Sequence, residues 1–223
     1  MSDKHRVLIT GINGFIAGNL AKILLEKGSN VFGLIRNQSE KSFLYFEGLA
    51  KDNVNVLGDI LDKELMCRII SEENINGIFH LAAQVSVTQS TKDPLQDSEV
   101  NVFGTLRLLE AARRCGIEKF IFSSTGGALY GDPVTDPCTE EHPVLPVSPY
   151  GMSKLVAEQY LDFYYRQYRL HYTSLRYGNV FGPRQDPHGE AGGVAIFTQA
   201  MLEGKQPQIF GDGTQQRDFI SVF

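Results

Sequence analysis

Short apolar segments alternate along this chain with longer segments of helical periodicity. Val7–Thr10 precedes the helix-like pattern of Phe15–Lys27, and Val31–Ile35 is again typical of a strand. The same order continues, with strands predicted at 53–57, 77–82, 119–123 and 172–177 and helices at 62–73, 93–115 and 149–169. Strands separated by helices of this length favour a parallel sheet with right-handed crossovers. The sequence therefore predicts an α/β protein with a doubly wound parallel sheet and helices on both faces.

Composition narrows the functional classes. The chain has 223 residues, 42% of them hydrophobic, which is enough to bury one substantial core. Its net charge of -5 and the lack of a basic run give no support for nucleic-acid binding. The start of the chain resembles neither a signal peptide nor a membrane span. Cys67, Cys115 and Cys138 lack metal-ligand spacing, which favours reduced thiols, no bound metal and a cytoplasmic location.

A glycine turn follows the first predicted strand. Gly11 and Gly14 have no side chains, so the backbone can turn tightly and a pyrophosphate can approach the next helix. The alternative is a tight strand-to-helix turn without a ligand. Arg36 stands where an acidic residue would bind the adenosine ribose, and a guanidinium suits a 2′-phosphate, so the predicted cofactor is NAD or NADP. An exposed arginine without a ligand is the alternative.

Asp59 follows the third predicted strand, at the edge of the sheet where ligands bind in such folds. We predict that its carboxylate meets the adenine amino group. The alternative is that Asp59 caps the amino end of the next helix.

Tyr150 and Lys154 are four residues apart in a predicted helix, so both lie on one side of it. Lowering the pKa of a tyrosine from about 10 to about 7 requires roughly 4 kcal/mol, which a buried lysine and an oxidised nicotinamide supply together. Such a phenolate acts as a general base near neutral pH. Thr125, or failing that Ser124, is predicted to hold the substrate oxygen. His80 ends an apolar strand and is interpreted as a core histidine, not a catalytic one.

These motifs resemble those of the extended short-chain dehydrogenases/reductases, in the group of NAD-dependent nucleotide-sugar epimerases and dehydratases. The resemblance extends over nearly the whole chain. The matching stretches are 10–16, 58–60, 80–84, 101–105, 123–131, 148–154, 176–183 and 211–219. It implies a Rossmann-like NAD(P)-binding domain at 1–177, a partial substrate-binding region at 178–223, and a nucleotide-diphosphate sugar as substrate.

The resemblance also implies the roles of particular residues. Thr125, Tyr150 and Lys154 would form the catalytic set, with Lys154 also holding the nicotinamide ribose. Asn179 and Arg217 would bind the substrate diphosphate and sugar, although Arg217 as a surface ion-pair residue is the alternative. The cofactor contacts would be Gly11, Asn13, Gly14, Phe15, Ile16, Asp59, Ile60, Leu81, Ala82, Ala83 and Asn101. The helices at 101–113 and 150–168 would form a homodimer interface.

Departures from the family pattern refine the expected activity. Ala17 replaces the third glycine, a small change that still permits close helix packing. Gly126 and Gly127 follow Thr125 where related 4,6-dehydratases carry an Asp-Glu pair, so an epimerase of UDP-glucose and UDP-galactose outranks a dehydratase or reductase. The chain ends at Phe223, which we interpret as a truncated substrate domain. A catalytically silent NAD(P)-binding module is therefore the remaining alternative.

Overall fold

The computed structural model describes residues 5–36, 54–131, 137–188 and 192–223. The chain divides into two compact units, Met1–Arg176 and Tyr177–Phe223. Residue 53, the first residue of the third predicted strand, lies outside the described residues.

A six-stranded sheet forms the centre of the first unit, and its last strand ends one residue beyond that unit. Its strands are β1 Arg6–Thr10, β2 Asn30–Ile35, β3 Val54–Leu57, β4 Gly77–His80, β5 Lys119–Thr125 and β6 His171–Tyr177. They lie in the order β3-β2-β1-β4-β5-β6, and the four neighbouring pairs from β3 to β5 are parallel. The chain changes direction across the sheet between β1 and β4, which is where ligands bind in doubly wound folds.

Helices cover both faces of this sheet, as predicted. Leu8 and Ile78 belong to a core cluster shared with the helices at 63–72, 104–114 and 149–168, whereas Val7 and Ile9 pack with the helix at 15–26. The described helices are α1 Phe15–Glu26, α2 Lys63–Glu72, α3 Val87–Lys92, α4 Pro94–Ser98, α5 Gly104–Arg114, α6 Gly126–Leu129, α7 Pro149–Tyr168 and α8 Gly193–Leu202. Alternate residues of β1 thus face opposite helix layers, and the predicted α/β fold is confirmed.

The long helix predicted at 93–115 is interrupted. Asp93 caps α4 by accepting a hydrogen bond from the Gln96 N–H at 2.9 Å, as the predicted start requires. A π-helical turn, Glu99–Phe103, then separates α4 from α5. The side-chain amide of Asn101 bonds outside the helix, to the backbone of Gln84, and π-turns of this kind are often found at functional sites. The hydrophobic period alone could not reveal the insertion.

Strand β4 ends at His80, two residues before the predicted end. The hydroxyl oxygen of Thr10 accepts hydrogen bonds from the N–H groups of Leu81 and Ala82, at 3.2 and 3.0 Å. The two N–H groups therefore bond a side chain, and not a neighbouring strand, at the point where the chain leaves the sheet. The loop after β4 starts from a fixed position as a result.

His80 is a structural histidine, as predicted. Its Nδ1 lies 2.8 Å from the Thr10 hydroxyl and its Nε2 lies 3.0 Å from the Thr105 hydroxyl. Thr105 donates its own proton to the carbonyl of Asn101, so it must accept from Nε2–H, and Nδ1 accepts from Thr10. Burial lowers the pKa of His80 to about 3, and the nearby charge of Lys154 adds to this. The imidazole is therefore neutral and joins β1, β4 and α5.

This neutral histidine predicts acid sensitivity. Between pH 6.5 and 3 the unfolded chain binds a proton at His80 that the folded chain refuses, so stability falls as the pH falls through that window. By pH 4.5 the loss is expected to be roughly 2–3 kcal/mol. Urea unfolding at pH 7 and 4.5 should show a larger loss for the wild type than for His80→Gln. Exposed His171→Gln is the matched control, and an equal acid loss in all three proteins would contradict the prediction.

The second unit contains helix α8 and a two-stranded parallel sheet. Its strands are β7 Asn179–Phe181 and β8 Phe219–Ser221. Gly178 leads into β7, and a Cβ at this position would lie 2.8 Å from the Asp218 carbonyl oxygen. Glycine therefore permits the approach of the segment before β8. Among the residues that the structure describes, no helix combines the length and the apolar character needed to cross a membrane.

Candidate active site

Gly11 lets the chain pass between the ends of three strands. Its φ is +67°, a conformation that favours glycine, and its N–H donates to the carbonyl of Leu34 at 3.1 Å. A Cβ on Gly11 would lie 2.9 Å from the Cα of Ala82. The backbone at the end of β1 thus touches the backbone at the end of β4. Any larger residue would push these two predicted cofactor segments apart.

Helix α1 begins at Phe15, and the residue before it, Gly14, supplies no capping side chain. The first N–H groups of a helix lack partners within it and carry a partial positive charge. No acidic residue stands in the first turn of α1, so nothing there repels an anion. Gly14 is exposed, and its N–H donates to the Gly11 carbonyl at 2.8 Å to close the turn. The turn and helix suit a phosphate of a dinucleotide.

Apart from Tyr150 and Lys154 on α7, the other predicted cofactor residues lie in the segments that follow β1, β2, β3 and β4, on the first turn of α1, or on the π-helical turn. Asp59 accepts a hydrogen bond from the Leu61 N–H at 3.0 Å, while Asp62 caps α2. The alternative that Asp59 caps this helix is therefore wrong. Arg36 is exposed directly after β2. Ile60 and Asn101 are buried, whereas the half-buried members are Asn13, Phe15, Ile16, Asp59, Leu81, Ala82 and Ala83.

Tyr150 and Lys154 lie one turn apart near the start of α7. The Lys154 ammonium is buried, lies 5.9 Å from the centre of the Tyr150 ring, and donates to the Ser123 carbonyl at 2.9 Å. It also lies 4.7 Å from the centre of the Phe122 ring. The amino-terminal part of α7 is thereby joined to the carboxyl end of β5. The predicted one-sided arrangement of phenol and ammonium is present.

Burial has the largest influence on the pKa values of both members of the pair in the protein alone. Burial raises the pKa of Tyr150 to about 12, and the negative charge of Asp97 adds to this. Burial also lowers the pKa of Lys154 to about 8, against the opposing influence of Asp97 and Glu158. The lowered tyrosine pKa is predicted for the complex with an oxidised nicotinamide, and it stays a prediction. The ammonium donates to the Ser123 carbonyl and lies 5.9 Å from the centre of the Tyr150 ring, and in the protein alone the cost of burying a phenolate exceeds any stabilisation by this charge.

Gly151 brings the turn that carries Thr125 against the start of α7. Thr125 ends β5, and its hydroxyl caps α6 by accepting from the Ala128 N–H at 3.3 Å. A Cβ on Gly151 would collide with the Ala128 carbonyl oxygen. A glycine directly after Tyr150 is therefore needed for the two turns to touch. Ser124, the other predicted substrate contact in this unit, is buried beside Thr125.

A carboxylate that the sequence analysis did not select lies beneath this site. Asp97 on α4 is fully buried and accepts a hydrogen bond from the Ser153 hydroxyl at 2.6 Å. In the sequence, Asp97 occupies one position of a short polar segment and looks like a surface residue. Ser153 lies between Tyr150 and Lys154, but serine is also common on exposed helix faces. No local signal could have found the pair, because α4 and α7 meet only in the folded chain.

The two remaining substrate candidates lie in the second unit. Asn179 begins β7, and its backbone N–H donates to the Asp218 carbonyl at 2.7 Å. Arg217 is exposed, and its Nη1 donates to the Gln216 carbonyl at 2.6 Å. Asn179 stands opposite Phe219, the first residue of β8. Arg217 lies two residues before Phe219, so both candidates are at the start of the paired strands.

Other candidate sites in the described residues do not have the features of a reaction centre. A groove of about 1100 Å³ lies between α7 and β6, lined among others by Glu158, Arg166, His171 and Arg176. Neither Tyr150 nor the glycine turn lines it, so its volume is not evidence for the site. Within the described ranges, no group of three His, Cys, Asp or Glu side chains could hold a metal ion.

The fold and the site together define a Rossmann-type dinucleotide-binding protein with a tyrosine-lysine pair at the end of its sheet. The profile of the GDP-mannose 4,6-dehydratase family matches residues 8–223. The UDP-glucose 4-epimerase of Mycolicibacterium smegmatis is 44% identical, with 97% of this chain and 69% of the relative covered. The chain therefore belongs to this family of NAD-dependent epimerases and dehydratases.

Solved structures agree with this assignment. A UDP-glucose 4-epimerase from Thermotoga maritima, with UDP-glucose, is 46% identical and superposes with a TM-score of 0.90, covering 97% of this chain and 69% of that one. A UDP-glucose 4-epimerase from Thermus thermophilus, in complex with NAD, is 42% identical with a TM-score of 0.86, covering 97% and 70%. Nearly the whole of this chain is matched, and it spans about 70% of the length of each of these two relatives.

Proposed function

We propose that the chain is a nucleotide-sugar 4-epimerase that interconverts UDP-glucose and UDP-galactose. The buried Lys154 beside Tyr150, at the end of β5, carries this proposal. The Thermotoga maritima relative, 46% identical, is a UDP-glucose 4-epimerase solved with UDP-glucose. A phenol and an ammonium near a dinucleotide turn suit reversible oxidation of a secondary alcohol, with no net change of redox state.

The proposed reaction inverts the carbon that carries the C4 hydroxyl. When bound, an oxidised nicotinamide dinucleotide would accept the C4 hydride and later return it, and its positive charge would favour the phenolate. Tyr150 removes the proton from the C4 oxygen and returns it after the 4-keto sugar has presented its other face. Thr125 orients the same oxygen by hydrogen bonding. Lys154 holds the ribose and stabilises the phenolate, because its ammonium lies on the same side of α7.

The proposed cofactor residues fit a dinucleotide. The close approach of Gly11 to Ala82 and the uncapped start of α1 at Gly14 support a pyrophosphate there. Beyond these two, we propose contacts from Asn13, Phe15, Ile16, Arg36, Asp59, Ile60, Leu81, Ala82, Ala83, Asn101, Tyr150 and Lys154. Asn179 and Arg217 would bind the substrate diphosphate, the arginine by charge-assisted hydrogen bonds.

Epimerisation is favoured over dehydration by the residues after Thr125. Removing water from the sugar requires an acid that protonates the leaving hydroxyl. Gly126 and Gly127 begin α6 directly after Thr125, and neither carries a carboxyl group. We therefore propose no elimination step for this chain, although its family takes its description from a dehydratase.

A product assay tests the proposed function. The protein is incubated with NAD and either UDP-glucose or UDP-galactose, and the sugars are separated by anion-exchange chromatography. The expected result is interconversion without stoichiometric reduced cofactor. Stoichiometric reduced cofactor would indicate a dehydrogenase instead. Tight NAD binding without any product would support the silent-module alternative, and the N-acetyl sugars are assayed in parallel.

We propose NAD as the cofactor, with NADP as the alternative that Arg36 leaves open. The Thermus thermophilus relative was solved with NAD, which supports NAD. Arg36 is exposed directly after β2, and a guanidinium there could bind a 2′-phosphate. Calorimetric titration of both dinucleotides into the wild type and Arg36→Ala distinguishes them. Weaker binding of NADP alone in the variant would show that Arg36 reads the 2′-phosphate.

The assembly and the domain boundary are also proposals. Exposed apolar side chains on the π-helical turn and α7, among them Phe103, Met152, Tyr160 and Phe163, support a homodimer through these helices. Light scattering coupled to gel filtration measures this oligomeric state.

We propose residues 1–177 as the dinucleotide-binding domain and 178–223 as part of the substrate-binding region. A cytoplasmic location is proposed from the free cysteines, which include Cys67 and Cys115.

A further inference from the structure

Asp97 connects the two segments on which the candidate site depends. It lies on α4 and is fully buried. Its Oδ2 accepts from the Ser153 hydroxyl at 2.6 Å, and its Oδ1 accepts from the side-chain amides of Gln84 and Asn101 at 2.8 and 3.0 Å. Ser153 stands between Tyr150 and Lys154, whereas Gln84 follows β4.

The two amides that bond Asp97 are themselves held by the backbone. Asn101 donates to the Gln84 carbonyl and accepts from the Gln84 N–H, both at 2.9 Å. The Gln84 side chain also donates to the Ser86 carbonyl at 3.0 Å and accepts from the Ser86 N–H. Each amide therefore has its acceptor and both its donors engaged, so the network specifies one arrangement. The loop after β4 and the start of α7 are both fixed to a single carboxylate.

The charge of Asp97 is buried without a hydrogen-bonded cation in this network. In the described part of the chain, its three donors are neutral side chains, and a buried carboxylate is costly unless such donors or a nearby cation stabilise it. The charge acts on the site at longer range. After burial, Asp97 is the second cause of the raised pKa of Tyr150, and it opposes the lowering of the pKa of Lys154 by burial.

We propose that Asp97 is a positioning residue, which ties the helix of Tyr150 and Lys154 to the loop after β4 and acts on both side chains through its negative charge. Its role in turnover rests on the proposed epimerase function. The tie and the charge are separable, because Ser153→Ala removes the hydrogen bond and keeps the carboxylate. Asp97→Asn removes the charge and keeps a side chain of the same shape.

The first measurement follows the protonation of Lys154. Protein carrying ¹³C-labelled lysine is titrated by NMR between pH 6 and 10.5, and the Lys154 signal is assigned with Lys154→Arg. In Asp97→Asn the midpoint is expected to fall below the wild-type value, since a negative charge that favours the ammonium is gone. Asp93→Asn is the matched control, because Asp93 is exposed at the amino end of the same helix. The same midpoint in both variants would overturn the charge role.

Other ionisable groups face this pair and must be followed in the same titration. Glu158 on α7 also favours the charged form of Lys154. His80 on β4 feels the charge of Lys154. Arg176 on β6 pairs with Glu158 at 2.6 Å and therefore reduces the influence of that carboxylate. Since Asp97→Asn changes none of these three groups, a shift of the Lys154 midpoint reports the charge of Asp97.

The second measurement follows the tie. Amide hydrogen exchange at residues 150–154 is expected to be roughly tenfold faster in Ser153→Ala than in the wild type or Asp93→Asn. Unchanged exchange would overturn the tie, and this arm stands even if Asp97→Asn does not fold. In the epimerase assay, Ser153→Ala and Asp97→Asn should each lower kcat and leave KM for UDP-glucose unchanged. If the wild type has no epimerase activity, the proposed function fails, whereas the titration and exchange results still decide the role of Asp97.

Discussion

Replacing Tyr150 by phenylalanine is expected to slow the interconversion of UDP-glucose and UDP-galactose by roughly 100- to 10,000-fold, the range typical of a lost general acid-base group. The change removes one hydroxyl and leaves the ring that lies 5.9 Å from the Lys154 ammonium. Dinucleotide binding should therefore be little changed. Initial rates at saturating UDP-glucose, together with calorimetric titration of NAD, measure both effects.

Tyr160→Phe is the control for this substitution. Tyr160 lies on the same helix and is exposed, so the same loss of a hydroxyl occurs away from the candidate site. Its activity is expected to match that of the wild type. If Tyr150→Phe keeps wild-type turnover, the proton is handled by another group and the proposed role of Tyr150 is wrong.

Gly11→Ala is expected to weaken NAD binding at least tenfold, or by about 1.4 kcal/mol. The new Cβ would lie 2.9 Å from the Cα of Ala82, and both atoms belong to the backbone framework, so the turn must move. The φ of +67° adds strain of roughly 1 kcal/mol for a residue with a side chain. Titration calorimetry with NAD measures the affinity, and urea unfolding measures the stability.

Gly116→Ala separates strain from collision. Gly116 has a φ of +71°, close to that of Gly11, but a Cβ there would meet nothing within 4 Å. Both variants should lose stability through backbone strain, and only Gly11→Ala should lose affinity for NAD. Equal affinities in the two variants would mean that the Gly11 turn does not cradle the dinucleotide.

Much of the fold could be predicted because its signals are local. The apolar runs at Val7–Thr10 and Lys119–Ser123 have the length and β-branched or aromatic content of buried strands, and both are strands in the structure. The interruption of the helix after Ser98 could not be predicted, because the side chain of Asn101 on the π-turn exchanges hydrogen bonds with the backbone of Gln84, 17 residues away. Hydrophobic spacing carries no record of such a contact.

The candidate site divides in the same way. The spacing of Tyr150 and Lys154 fixes their common helix face, since four residues make about one helical turn. Their protonation could not be inferred from spacing. Burial raises the pKa of Tyr150 to about 12, although a lysine is its neighbour. Desolvation depends on everything packed around a group, so it follows from the assembled chain and not from adjacent residues.

By itself, the sequence determined the alternation of strands and helices, the glycine turn after β1 and the tyrosine-lysine pair on α7, because each arises from residues within a few positions of one another. Only the tertiary structure decided that Asp97 is buried beneath that pair, that Gly151 must be a glycine, and that His80 stays neutral. These properties depend on groups that are distant along the chain and meet after the sheet and helices have packed. Hydrogen bonding, steric exclusion and loss of solvent act at those contacts, and local sequence patterns do not encode them.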